Sequence, residues 1–199
     1  MNLSDSDSAL MTEITYGVLR WMKRLDFVVA SHSSRKLKSI SAVPLLALRI
    51  GIYQLEFLTK VPPRAAIDES VRLTRHYGSE RAVPFVNAVL RSINRKTVNT
   101  PLPKKNEGIE KYLTVAQSHP EWIVRRYISR LGAADAESLC RFQNTKPTTD
   151  LRVSRNLSLE QAQANLAKVG IDTSRITHVP KALRVTRGQV LRTALYQRG

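Results

Sequence analysis

The run SAVPLLALRIGIYQLEFL, residues 41–58, decides how this chain folds. Leu45, Leu48, Ile52 and Leu55 recur at the spacing of one helical face, and Pro44 is tolerable in a first helical turn, where a missing N–H leaves no bond unmade. Ala47, Ile50 and Phe57 make the other sides apolar too, as expected of a helix surrounded by others. Arg49 and Glu56 interrupt the run, and it falls short of the ~20 residues that a bilayer span requires. It therefore reads as a central core helix, ended by the paired prolines Pro62 and Pro63.

Outward from it, amphipathic helices follow on both sides. Residues 10–30 place Ile14, Val18, Trp21, Leu25 and Val28 at helical spacing behind a serine- and aspartate-rich start able to cap a helix. A third helix over 64–77 stops at Gly78, with Asp68 and Arg72 one turn apart as a supporting pair. A fourth, regular from Pro84, aligns Val83, Val86, Leu90 and Ile93. Residues 97–108 (TVNTPLPKKNEG) combine prolines, asparagines and glycine with little apolar content and read as a linker between a helical unit, 1–96, and a second unit, 109–199. The second unit begins with helices near 109–117, 120–131 and 134–143. The pattern then changes: residues 149–154 alternate as a strand, 158–169 form a helix capped by Ser158, and 182–186 form another strand. The fold class is thus mainly α, a helical bundle followed by further helices and a small, incomplete α/β subdomain that needs another strand or helix to cover its sheet.

Thirty-two Lys and Arg against sixteen Asp and Glu give a formal net charge of +16, which points to a polyanionic partner and first to nucleic acid. Solubility or acidic lipid is the blander account of the same charge. Two clusters are the candidate phosphate contacts: Arg20, Lys23, Arg24, Arg35, Lys36 and Lys38 near the start, and Arg91, Arg95, Lys96, Lys104 and Lys105 around the end of the first unit. Trp21 and Tyr77 are weaker stacking partners, because helical spacing already accounts for them as core. No catalytic centre is expected. The eight glycines stand alone, without a phosphate-cradling loop, and the four histidines lie more than forty residues apart, so neither a bound cofactor nor a metal is expected in this chain. His119 beside Pro120 suits capping or packing. Cys140 suits a structural thiol better than a nucleophile, and adjacent Asp68 and Glu69 point in different directions on their helix. A single cysteine and no leader-like apolar run make the cytoplasm the expected compartment and a membrane partner unexpected.

The blocks Leu48-Arg49-Ile50-Gly51-Ile52-Tyr53-Gln54-Leu55, Val61-Pro62-Pro63, Ile67-Asp68-Glu69-Ser70-Val71 and Phe85-Val86-Asn87-Ala88-Val89-Leu90-Arg91 resemble, in order and spacing, the NusB-like RNA-binding domain. Residues 13–21 (EITYGVLRW), 119–122 (HPEW) and 151–156 (LRVSRN) further resemble the N-terminal region of RsmB (Sun/Fmu) ribosomal RNA cytosine methyltransferases. The resemblance implies a NusB-like bundle whose first, arginine-rich helix precedes the start of this chain. It also implies an RNA partner, small-subunit ribosomal RNA, and a catalytic domain outside residues 1–199 that binds S-adenosylmethionine and carries two catalytic cysteines. Cys140 matches neither cysteine motif.

Three functions follow as expectations: an RNA-binding module that positions ribosomal RNA for a methyltransferase domain encoded elsewhere, a stand-alone NusB-type transcription antitermination factor, or an interaction module or remnant without RNA affinity. In the first, the chain is separated from its catalytic half by truncation, a split gene or a frameshift. A tritiated-methyl assay on ribosomal RNA with the purified chain is expected to show no turnover; methyl incorporation above background would contradict the absence of a catalytic centre.

Overall fold

The computed structural model describes residues 4–95 and 100–197. Two compact units divide at Asn144/Thr145. The first contains α1 (Asp5–His32), α2 (Ala42–Phe57), α3 (Pro63–Tyr77), α4 (Val83–Arg95), α5 (Ile109–Val115) and α6 (Glu121–Gln143). Ser4 caps α1, its Oγ accepting from the Asp7 N–H at 3.2 Å, and Pro63 opens α3 at a position that needs no donor. Gly132, at φ 78°, breaks α6 into the two segments expected from the sequence.

Helix α2 packs against α1, α3 and α4, as its all-round apolar composition requires. Leu48 and Ile52 are fully buried with Leu25, Val28, Val86 and Leu90. Three polar links tie α1 to α2 above this core: Arg49 donates to Asp26 through Nε and Nη2 at 2.7 and 2.9 Å, Arg24 Nε donates to Glu56 at 3.0 Å, and the Tyr53 hydroxyl donates to Glu13 at 2.9 Å. Burial and then the bond to Glu13 push the Tyr53 phenol up to about 12. The pairing expected between Asp68 and Arg72 is replaced by Arg64–Asp68 at 3.6 Å and Arg72–Glu69 at 3.1 Å.

The sequence places a linker at 97–108, whereas compactness carries the first unit on to Asn144. The physical reason is local to the α5–α6 turn. Ser118, held at φ 56°, directs its Oγ into α1, where it accepts from the Lys23 and Arg24 N–H groups at 3.0 and 3.4 Å. Buried His119 reaches Gln117 O through Nδ1 at 2.6 Å and Gln143 Oε1 through Nε2 at 3.1 Å, the packing role its sequence context suggests. Leu113, Val124, Ala136 and Cys140 form a separate small core beneath.

The second unit contains β1 (Thr149–Arg152), α7 (Leu159–Lys168), β2 (Asp172–Arg175), β3 (Ala182–Arg187) and the short α8 (Ala194–Gln197). Its sheet is antiparallel in the order β1-β3-β2, with Leu151 opposite Leu183 and Arg152 opposite Ala182. Ser158 and Gln161 form a reciprocal capping box at the start of α7, and α7 buries Ala162 and Leu166 with Val153, Leu183 and Ile171. Strand β2 supplies the additional element that the sequence leaves missing. Its residues are mostly polar and exposed, as an edge strand held by backbone pairing permits. Among the described residues no helix is long and apolar enough to cross a membrane.

At Gly51 a Cβ would lie 2.8 Å from both Leu90 Cδ2 and Ser70 Oγ, and both residues are fully buried. Gly51→Ala is therefore expected to destabilise the chain by about 1–3 kcal/mol, read as a lower urea midpoint at unchanged m. A wild-type midpoint would show that α2, α3 and α4 are not packed this closely.

Candidate nucleic-acid interface

Helix α4 buries Val83, Val86, Val89, Leu90 and Ile93. The helical repeat then leaves Pro84, Ala88, Arg91 and Arg95 as one outward strip, all four exposed. One flank of this strip borders the end of α1 and the loop beyond it. His32 Nδ1 lies 3.2 Å from Ser92 Oγ, and the Arg35 guanidinium lies 4.6 Å above the Phe85 ring, a cation–π contact. The other flank faces α3, where Arg64, Ile67 and Asp68 line a cleft with Arg91, Asn94 and Arg95. Arg91 is oriented by its Nε donating to Asn87 Oδ1 at 2.9 Å. Three guanidiniums thus converge on a cleft whose lining includes one carboxylate, Asp68. That carboxylate pairs with Arg64 across solvent, where such a bond contributes little and yields readily to a phosphate.

The structure separates the sequence-derived candidates. Arg91 and Arg95 share the α4 cleft, and Arg35 flanks them, with exposed Lys36 and Lys38 following in the same loop. Arg20, half-buried, and Lys23, exposed, belong to α1. Lys104 is exposed beside the single turn Lys105–Glu107, and Lys96 lies outside the described residues.

Two candidates are corrected. Arg24 turns inward to Glu56 and lies over the rings of Trp21 and Phe57 at 5.5 and 5.2 Å. Lys105 Nζ pairs with Glu137 at 2.5 Å, and Arg141 holds the other carboxylate oxygen at 2.6 Å. The Lys105 hydrogen bond, outweighing desolvation, holds the Glu137 carboxyl below its ordinary range. The carboxylates of Glu56 and Glu137 are only 16% and 12% exposed, and a buried charge deprived of its partner is costly. Both cations therefore serve the fold.

Arg64, absent from the sequence-derived set, joins Arg91 and Arg95 only through the packing of α3 on α4. Tyr77 is a further correction to the sequence reading: it is 68% exposed at the end of α3, edge-on to His76, beside Arg72 and Arg75. Trp21 stacks on Phe57 at 4.9 Å, in keeping with a packing role. Cys140 is fully buried, and burial, reinforced by Glu137, pushes its thiol up, opposite to the shift that activates a nucleophile. Among the described residues no three His, Cys, Asp or Glu side chains gather as metal ligands.

Two family models match the chain: the NusB family over residues 1–95, and the ferredoxin-like domain of RsmF/B-like methyltransferases over residues 119–191. The chain is 32% identical to the probable ribosomal RNA small subunit methyltransferase B of Bacillus subtilis (strain 168), over 99% of this chain and 44% of that protein. It is 30% identical to the corresponding probable enzyme of Synechocystis sp., over 92% of this chain and 41% of that protein. The chain thus spans less than half the length of these relatives. The crystal structure of PH0851 superposes on 97% of this chain and 43% of its own with a TM-score of 0.65 at 19% identity, a likeness of fold. The chain therefore carries a NusB domain over residues 1–95 and a ferredoxin-like domain of RsmF/B-like methyltransferases over residues 119–191, and it corresponds to the N-terminal part of the ribosomal RNA small subunit methyltransferase B relatives.

Proposed function

We propose that this chain is an RNA-binding module that holds small-subunit ribosomal RNA for a methyltransferase catalytic domain lying outside residues 1–199. The observation that carries the reading is the convergence of Arg64, Arg91 and Arg95 on one cleft, with Arg35 across α4. Guanidiniums bind phosphate through paired donors, and several on one surface fix the position of a strand without reading its bases. The names of the relatives supply the RNA, and S-adenosylmethionine belongs with the domain outside. A stand-alone NusB-type antitermination factor would use the same helical domain. The ferredoxin-like match beyond it favours the methyltransferase reading.

Binding of the full chain to a small-subunit ribosomal RNA fragment should weaken with salt along a steep log–log line. The triple substitution Arg64→Glu/Arg91→Glu/Arg95→Glu should reduce that slope by about two, at ~0.7 per phosphate of a single strand. Arg24→Ala should instead cost about 1–2 kcal/mol of stability, through the orphaned Glu56, and leave the slope unchanged. Fluorescence anisotropy across a salt series measures the slopes and urea denaturation the stability, and an unaltered slope in the triple variant would contradict the role of α4.

A further inference from the structure

Residues 145–199 contain ten Lys and Arg against three Asp and Glu, about twice the net positive charge per residue of residues 1–144. Each of the three carboxylates faces an arginine. Asp150 accepts two bonds from Arg184 at 2.9 and 3.0 Å, Glu160 pairs with Arg175, and Asp172 lies 4.0 Å from Arg187. Arg152, Arg155 and Lys181 lie outside these three pairs. The strand register decides where they go.

Leu151 and Val153 of the β1 segment, with Leu183 and Val185 of β3, face α7. Alternation along a strand puts Arg152 and Arg184 on the opposite face, and Arg152 stands opposite Ala182, one residue from Lys181. Lys181 is held at φ 57°, a left-handed conformation uncommon for a residue with a side chain. Three bonds accompany it: its carbonyl accepts from the Val153 N–H at 2.8 Å, and its Nζ donates to Arg155 O at 2.8 Å and to Leu157 O at 3.4 Å. The turn that carries Arg155 is thereby fastened beside the start of β3. Arg152, Arg155 and Lys181 are all exposed, and among the described residues none of them ion-pairs with a carboxylate of this unit. Strands β1, β2 and β3 contain no aromatic residue, so this end of the sheet offers charge without a stacking platform.

From this arrangement we infer that the end of the sheet where β1 leaves and β3 enters, carrying Arg152, Arg155 and Lys181, is a second RNA-binding surface, independent of α4. It engages the sugar-phosphate backbone and is indifferent to base sequence. Lys181 acts as a positioning residue as well as a charge, because its ammonium fixes the turn beneath Arg155. The inference rests on the RNA-binding reading above and adds a surface in the other unit of the chain.

The test uses the full chain, a small-subunit ribosomal RNA fragment and a scrambled RNA of the same length, over a salt series. Arg152→Glu/Arg155→Glu should weaken binding to both RNAs by a similar factor, about tenfold at low salt, and lower the log–log slope by about 1.4 for two phosphates of a single strand. The neutral pair Arg152→Gln/Arg155→Gln, which removes charge without introducing repulsion, should retain an unchanged circular dichroism spectrum and show the same slope change. Unaltered affinity and slope in both pairs, while the α4 triple variant loses binding, would overturn this surface and leave the RNA-binding reading in place. Loss confined to the ribosomal fragment would overturn its indifference to sequence. A wild-type chain that binds neither RNA would overturn both readings.

Discussion

The close approach of α2 to α3 and α4 at Gly51 is the constraint on which the rest of the first unit depends. With no side chain at that position, Leu90 and Ser70 close over the α2 backbone, and burial of Leu48, Ile52, Val86 and Leu90 supplies the main stabilisation, on the order of 1.5–3 kcal/mol for each large apolar side chain. The same contact sets how far apart α3 and α4 stand. That separation determines whether Arg64 meets Arg91 and Arg95 or points away from them. The cleft is therefore a consequence of core packing, and the charged residues lining it contribute little to holding it open.

Carboxylates decide which cations remain available to a ligand. Asp26, Glu56 and Glu137 sit partly or largely inside the first unit and bind Arg49, Arg24 and Lys105 respectively. An arginine beside such an acid neutralises a charge whose isolation would destabilise the fold. Arginines beside solvent-exposed acids, such as Arg64 with Asp68, are held weakly and can exchange partners. A net charge of +16 is thus divided between cations that serve the fold and cations displayed on α4, on the loop that follows α1, and at one end of the sheet.

Much of the fold was legible in the sequence, because helical and strand periodicities are local. The capped starts at Ser4 and Ser158, the central helix, the division between 120–131 and 134–143, and the strands at 149 and 182 all follow from residues within a few positions of one another. Strand β2 was not legible: DTSR has no apolar alternation and is a strand only because β3 pairs with it. Tyr77 falls on a helical spacing that suggests core, but it lies in the last turn of α3, beyond the buried stripe of Ala66, Ile67, Ser70 and Thr74. At the candidate site Arg35, Arg91 and Arg95 could be read as surface charges. The pairing of Arg24 with Glu56 and of Lys105 with Glu137 could not be read locally, because each acid lies thirty-two residues away. Arg64 escaped notice for a related reason, since it meets α4 only across the α3–α4 packing.

Tertiary pairing, rather than local charge density, decides which arginines remain available to a phosphate ligand. Phenylglyoxal modification of every arginine, quantified by mass spectrometry with and without a small-subunit ribosomal RNA fragment, addresses it most directly. Arg35, Arg64, Arg91 and Arg95 should react in the free chain and become protected by RNA, while Arg24 and Arg49 should react slowly in both states. Strong RNA protection of Arg24, or none at Arg64, Arg91 and Arg95, would contradict the account.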